Sequence, residues 1–425
     1  MKRLFTILSA AILLSAPVWG QDVRVRLQEN PGRYANVLHS YEPPAVVADT
    51  PAPDGYEPFY VSHYGRHGSR YHVSMSPITR VSGIFDSLDS LGLLTEEGAR
   101  IHTDLKTLER YHEGQEGYLT LLGGREHQGI AQRLYERVPG VFSQPDRDRV
   151  VAESSYVQRC IQSLANFTMV LKGCAPQLRF DVYAGERFMR HISPGTSVKR
   201  NESHYTVFDS VLYEKFDPTR AMNAWFTDPW DAAQHLGKYD VRNFIYYVFY
   251  AGNICQCLVC DYDDVPDFYR YFTEDELYAL WWAGDVSTFD SMANTVENGC
   301  RFNETGRKML ADFIAKADAA VAGNDVAADL RFGHDSGLQP LLSYLRIKGY
   351  EDLISMADAP AKGWYSFEQM PMGSNLQMIF YRNRKGDVLV KLLRNEQETT
   401  IPALKPWKGP YYRWKDLRAY FVSLP

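Results

Sequence analysis

Short apolar runs closed by glycine alternate along the chain with longer stretches whose apolar residues recur every three or four positions, a pattern that predicts α/β architecture. Pro58-Phe59-Tyr60-Val61 predicts a first buried strand over 57–65, closed by Gly65. Ser74-Met75-Ser76-Pro77 then offers a serine cap and a proline suited to a first helical position. Behind it Ile78, Val81, Ile84, Phe85, Leu88, Leu91 and Leu94 keep helical spacing. Thr95-Glu96-Glu97-Gly98 opens another helix running to 108, and a further helical block covers 119–138. Arg149-Val150-Val151-Ala152 reads as a second buried strand, with 157–171 as the helix after it. Asp329-Leu330-Arg331-Phe332 reads as strand again, before a helix over 338–345 with Pro340 in its first turn. Segments 376–381 and 388–393 flank Arg384-Lys385-Gly386-Asp387 as a β-hairpin, and 414–422 reads as a short closing helix.

The middle of the chain differs in character. From 181 to 323, tryptophans cluster at Trp225, Trp230, Trp281 and Trp282, and helical spacing dominates over 232–250, 274–282 and 307–321. The expected fold is a doubly wound central sheet flanked by helices, formed by 21–180 and 324–425. A mostly helical cap, 181–323, is inserted over the edge where substrate enters. Residues 21–56, rich in proline and polar side chains, read as an arm on the surface. Residues 1–20 have Lys2 and Arg3, an apolar run from Leu4 to Leu14 and a small residue at Gly20, the outline of a signal peptide on an exported, periplasmic or secreted protein. The run is too short to span a bilayer, so no membrane association is expected after its removal.

At 425 residues with 45% apolar residues, the chain can build a large core. Its formal net charge is −6, and loss of Lys2 and Arg3 leaves 44 basic against 52 acidic side chains. Nucleic acid and anionic membrane are thereby poor partners, and an anionic substrate needs a local basic pocket. The six cysteines, at 160, 174, 255, 257, 260 and 300, read as disulfides or buried thiols rather than a metal cluster, because no histidine lies near 255–260.

Candidate chemistry concentrates in His63-Tyr64-Gly65-Arg66-His67-Gly68-Ser69-Arg70, at a strand end ahead of a helix, where α/β sheets bind ligands. Neutral imidazole is a nucleophile, and guanidinium forks match phosphate oxygens. His67 is thus placed to attack phosphorus while Arg66 and Arg70 hold the oxygens, with Gly68 letting phosphate approach the backbone. Gly333-His334-Asp335 repeats the strand-end architecture: His334 can donate to a phosphate oxygen, and Asp335 can protonate a departing alkoxide. Arg187, Arg190, His191, Lys199 and Arg200 open the cap. Of these, Arg190, His191 and Lys199 are candidates for substrate binding. His127, alone on its helix, reads as a packed or solvated residue rather than a ligand.

Arg66-His67-Gly68-Ser69-Arg70 resembles the Arg-His-Gly-x-Arg signature of the histidine acid phosphatase branch of the histidine phosphatase superfamily, which includes phytases and multiple inositol polyphosphate phosphatases. The resemblance implies a phosphohistidine mechanism without metal or cofactor. It extends to Leu119-Thr120-x-x-Gly123, and to Ser155-x-x-x-Arg159-x-x-x-Ser163, in which Arg159 matches the family's third phosphate-binding arginine. Phe188-Met189-Arg190-His191, the His334-Asp335 pair, Ser374-Asn375-Leu376-Gln377 and the segment from Lys391 to Glu396 complete it. It covers about 57–171 and 325–396. Two departures stand out: Tyr71-His72 replaces the family's x-Pro, and the acid at Asp335 comes one residue earlier than in the His-Ala-Glu of inositol polyphosphate phosphatases.

The expected protein is therefore an exported phosphomonoesterase for a small anionic phosphorylated substrate, phytate or another inositol polyphosphate. A broad-specificity acid or sugar-phosphate phosphatase would use the same residues. A non-catalytic phosphate or polyanion binder would need the arginines, but neither His67 nor Asp335.

Overall fold

The computed structural model describes residues 23–45, 49–197, 199 and 203–425; the signal-peptide segment lies outside them. Eight strands form one sheet: β1 (Tyr56–Arg66), β2 (Arg149–Ser154), β3 (Arg179–Ala184), β4 (Val326–Gly333), β5 (Asn375–Asn383), β6 (Val388–Arg394), β7 (Gln397–Thr399) and β8 (Tyr411–Arg413). Their order is β3-β2-β4-β1-β5-β6-β7, with β8 also on β6. The first four strands are mutually parallel, and β1 meets β5 in antiparallel register.

Alternation along the strands sorts side chains to two faces. Val61, Val150, Ala152, Leu330, Phe332 and Ile379 pack beneath the helices Leu121–Arg137 and Gln158–Cys174. Tyr60, Tyr64, Met378 and Phe380 join the larger core on the other face, which takes in the helices of the chain's middle part. Helices on both faces make the sheet doubly wound. The parallel sheet runs on to β3 at residue 184, past position 181 where the sequence turns helical in pattern; β3 is an edge strand whose Val182 and Tyr183 are exposed. The helix Asp335–Leu345 begins earlier than its apolar spacing predicts, which puts Pro340 in the second turn rather than the first.

The N-terminal arm corrects the surface expectation. Val23–Glu29 is helical and Pro31–Leu38 forms a 3-10 segment, with Leu27, Tyr34 and Leu38 buried. Its apolar residues have no long period, but they fill the groove between the middle helices and the sheet.

The cysteines are all free thiols. Each of four is committed elsewhere: Cys160 Sγ to the Gly333 carbonyl, Cys257 Sγ to Leu38 O, Cys174 Sγ to Gln132 and Cys260 Sγ to Arg125.

The larger-core face also holds a layer of buried charge. Arg331 is fully buried, and its guanidinium donates to Asp312 at 2.7 Å and to Ser62 Oγ at 3.1 Å. Lys316 reaches Glu153 at 2.6 Å, and Tyr60 donates to Asp329 at 2.8 Å.

The loop after β1, residues 67–70, rests directly on the helix Leu121–Arg137. A Cβ at Gly68 would collide with the Gly123 carbonyl and Cα and with Glu126 Oε2, and one at Gly123 would collide with the Ser69 backbone. Gly68 is therefore required by this helix contact, not by phosphate approach alone. Gly123→Ala tests the contact with a known sign. Alanine favours helix by about 1 kcal/mol over glycine, whereas forcing atoms into a packed contact costs about 1–3 kcal/mol. We expect a net loss of stability in denaturant unfolding; a gain would show that the loop does not press on the helix.

Candidate active site

Register brings the two strand-end loops together. In the parallel pairing of β1 with β4, Arg66 faces Gly333, and the His67 amide donates to the Gly333 carbonyl at 2.9 Å. His67 and His334 thus sit with ring centroids 5.6 Å apart. Arg66 Nη2 forms an ion pair with Asp335 at 2.8 Å. Arg159, from the first turn of Gln158–Cys174, places Nη2 3.4 Å from His334 Nδ1. His67, Arg66, Arg70, Arg159, His334 and Asp335 are thereby brought close together at the two strand ends.

Each group is held by its neighbours. His67 Nδ1 donates to the Gly68 carbonyl at 2.9 Å, which leaves the lone pair on Nε2. Burial, then Arg159, Arg66 and Arg70, depress the imidazole pKa far below its ordinary value, so the ring is a neutral base. Arg66 has no exposed surface; its Nη1 donates to the Val37 and Met370 carbonyls. Arg70 Nη1 donates to Tyr71 O at 2.9 Å. The Nε atoms of Arg66, Arg70 and Arg159 are buried with no hydrogen-bond partner among the described residues. Buried donors without acceptors are costly, and an anion in the hollow would satisfy them.

For Asp335, burial acts to raise the pKa, but Arg66, His334 and Arg70 outweigh it and hold the carboxyl below its ordinary value. His334 is lowered to about 4, by burial first and then by Arg159. The hollow thus combines three guanidiniums, one carboxylate and two neutral imidazoles, a local positive field in a chain of net negative charge.

Several supporting residues were not picked out from the sequence. Glu126 accepts from the Ser69 amide, the Ser69 hydroxyl and the Tyr41 amide at 2.7–2.8 Å, clamping the nucleophile loop. Tyr64 Oη donates to Ile192 O at 2.7 Å and receives the His334 amide at 3.2 Å. Ser163 Oγ accepts from the Gly68 amide at 3.1 Å. Ser155 Oγ lies 3.0 Å from His334 Nε2. The Ser-x-x-x-Arg-x-x-x-Ser spacing was the one available signal for the two serines. His127 is packed, as expected, with Nε2 3.0 Å from the Arg66 carbonyl.

The cap candidates are not assembled with these groups. Arg190 and Lys199 are exposed. His191 is buried, and its Nε2 lies 2.8 Å from the Glu153 carboxylate on β2. Glu153, His191 and Asp312 are close enough to share a cation, but Lys316 and Arg331 already contact the two carboxylates at 2.6 and 2.7 Å.

No protein-family model matches the sequence, and no curated protein matches it. Among solved structures, the chain is similar to the multiple inositol polyphosphate phosphatase of Bifidobacterium longum in complex with inositol hexasulfate. The TM-score is 0.78 at 19% identity, covering 92% of this chain and 98% of that one. The phosphate complex of the same protein also gives 0.78. A phytase from D. castellii gives 0.69 at 15% identity, over 96% of this chain and 88% of that one. The chain therefore has the fold shared by these inositol polyphosphate phosphatases and phytases.

The buried histidines give the protein an acid limit. His63 and His72 are lowered to about 3, His112, His127 and His334 to about 4, and His67 well below its ordinary value, in each case by burial first. The unfolded chain takes up these protons near pH 6.5 whereas the folded chain does not, so stability is full above that pH and falls as pH drops toward 3–4. His63 packs against Phe167 and Phe332, with neither ring nitrogen partnered among the described residues. Melting temperature should fall from pH 6.5 to 4, and His63→Leu should make that fall shallower. An unchanged slope in the variant would show that His63 is protonated in the folded protein.

Proposed function

We propose that the chain is an exported phosphomonoesterase that hydrolyses inositol polyphosphates, phytate among them, through a phosphohistidine on His67. The observation that carries this reading is the His67 Nδ1 bond to Gly68 O, which leaves the Nε2 lone pair as base in a hollow with three guanidiniums and a carboxyl. A pure binding site has no use for an unprotonated imidazole at its centre.

In the first half-reaction Nε2 forms the N–P bond as the ester P–O bond breaks. Arg66, Arg70, Arg159 and His334 meet the charge on the phosphoryl oxygens with donors already in place. The departing alkoxide takes the proton of Asp335. Arg66 holds that carboxyl below its ordinary pKa, so the proton has to be taken up from solvent as substrate binds. A phosphate dianion beside Asp335 offsets Arg66 and raises its pKa. In the second half-reaction Asp335 accepts a proton from water as the water oxygen attacks phosphorus and the N–P bond breaks, restoring neutral His67.

Two further features support the substrate and location. The Bifidobacterium protein of the same fold was solved with inositol hexasulfate, a polyanionic ring, and the local excess of guanidinium here suits such a ligand. Lys2, Arg3 and the apolar run behind them suit export, and no helix among the described residues is long and apolar enough to cross a membrane.

His67→Ala should abolish phosphate release from phytate while leaving the unfolding transition in place, and the wild-type protein should yield an acid-labile phosphoenzyme when quenched during turnover. Release by His67→Ala at the wild-type rate would end the proposal. Asp335→Asn should slow phytate hydrolysis by about 10²–10⁴, the usual worth of general acid catalysis. It should slow an aryl phosphate far less, because a phenolate departs without a proton. Equal losses on both esters would remove Asp335 from the acid role.

A further inference from the structure

The sheet ends on an open edge. β3 closes the strand order on one side, and among the described residues no strand pairs with its outer edge. Arg179 N donates to Asp148 O at 2.8 Å and Gly185 N to Ser154 O at 3.4 Å, which turns the odd-numbered amides of this segment toward β2. Backbone groups alternate along a strand, so Phe180, Val182 and Ala184 direct their N–H and C=O outward, where no described residue meets them. Unpaired edges are templates for association, and proteins blunt them with lysine, proline, a bulge or a covering element. β3 has neither lysine nor proline, and its register with β2 is unbroken. Val182 and Tyr183 are 51% and 40% exposed. At the other end of the sheet, β7 is only three residues long.

We propose that β3 pairs in antiparallel register with β3 of a second copy of this chain, about a two-fold axis at Val182, so that the two sheets become one across a dimer. In that register Val182 stands opposite its own copy and Phe180 opposite the partner's Ala184. Each of these pairs exchanges both of its backbone hydrogen bonds, so the outward groups of both strands are used. Phe180, Val182 and Ala184 share one face of the strand, where apolar side chains meet and the large one faces the small one. On the other face Tyr183 stands opposite the partner's Asp181. The Arg187 guanidinium, 5.8 Å from the Tyr183 ring and in no ion pair among the described residues, comes beside that carboxylate.

The seam leaves no charge uncompensated, because Arg179 and Asp181 keep Asp148 and Arg149 of their own chain at 2.7 and 3.3 Å. Centring the pair one residue earlier would set Asp181 against the partner's Asp181, and like charges directly opposite are destabilising. An unrelated extended segment could meet the backbone groups of this edge. A second copy also matches its side chains position by position.

The seam is narrow, so association should fall at the weak end of protein–protein contacts, with dimer forming between about 1 and 100 μM. Sedimentation velocity of the full-length protein over that range should show a monomer–dimer equilibrium. Val182→Lys puts a charge opposite its own copy at an exposed position. It should leave monomer at every concentration, with melting temperature and phosphate release unchanged. Val182→Cys should give a disulfide-linked dimer on mild oxidation, because Cα atoms of a hydrogen-bonded antiparallel pair lie about 5.5 Å apart, inside the roughly 4.4–6.8 Å of disulfides. Ala184→Cys, which faces Phe180 and not itself, should stay unlinked, and peptide mapping separates these links from any through the native thiols. None of these readouts depends on catalysis, so their outcome is separate from that of the phosphatase reading. A wild-type protein monomeric throughout the range, a dimer that survives Val182→Lys, or linkage at 184 as ready as at 182 would each overturn the proposal.

Discussion

A guanidinium without exposed surface has to be held from several directions at once, and the candidate site is arranged around one. Arg66 is fixed by two backbone carbonyls, one from the N-terminal arm and one from the segment before β5, and by Asp335 from the loop after β4. Three stretches far apart in sequence thus meet on one side chain. The same ion pair that neutralises part of that buried charge keeps Asp335 ionised until another anion competes for Arg66. Removing either partner leaves the other charge buried and uncompensated.

Around that pair, shape is set by close backbone approach. Gly68 against Gly123 lets the nucleophile loop lie on a helix, and Glu126 in that helix takes up the loop's Ser69 donors. The result is a loop positioned by rigid elements on both sides rather than by its own sequence, which has no proline to stiffen it. Tyr64 does the corresponding work for the second loop, bonded to both its neighbours through one hydroxyl.

How much of this could be read beforehand follows from the physics of each part. The two loops were legible because each has a strand pattern, a glycine and a helix start in order, with reactive side chains between them. Arg159 was legible only through spacing after a second strand. The arm was not, because Leu27, Tyr34 and Leu38 have no sustained period and their burial depends on a groove built by other segments. Edge strand β3 escaped because its side chains stay exposed, so it lacks the apolar run that marks its buried neighbours. The pairing of His191 with Glu153 was not legible either, because sequence cannot show that a carboxylate from β2 lies within reach. Glu126 and Ser155 were missed for a related reason: a polar residue that supports another looks like any surface residue until its partner is in place.

The position of β1 also bears on how the molecule comes into being. The strand that leads into His67 is central in the sheet, yet both strands it pairs with, β4 and β5, come from the last quarter of the chain. Until that late sequence is available, β1 has open hydrogen-bonding edges on both sides, and the sheet closes through contacts of long sequence separation, which form slowly. A newly made chain therefore has to stay unpaired at its centre until synthesis is almost finished, which makes delay, and protection from aggregation, a condition of its assembly.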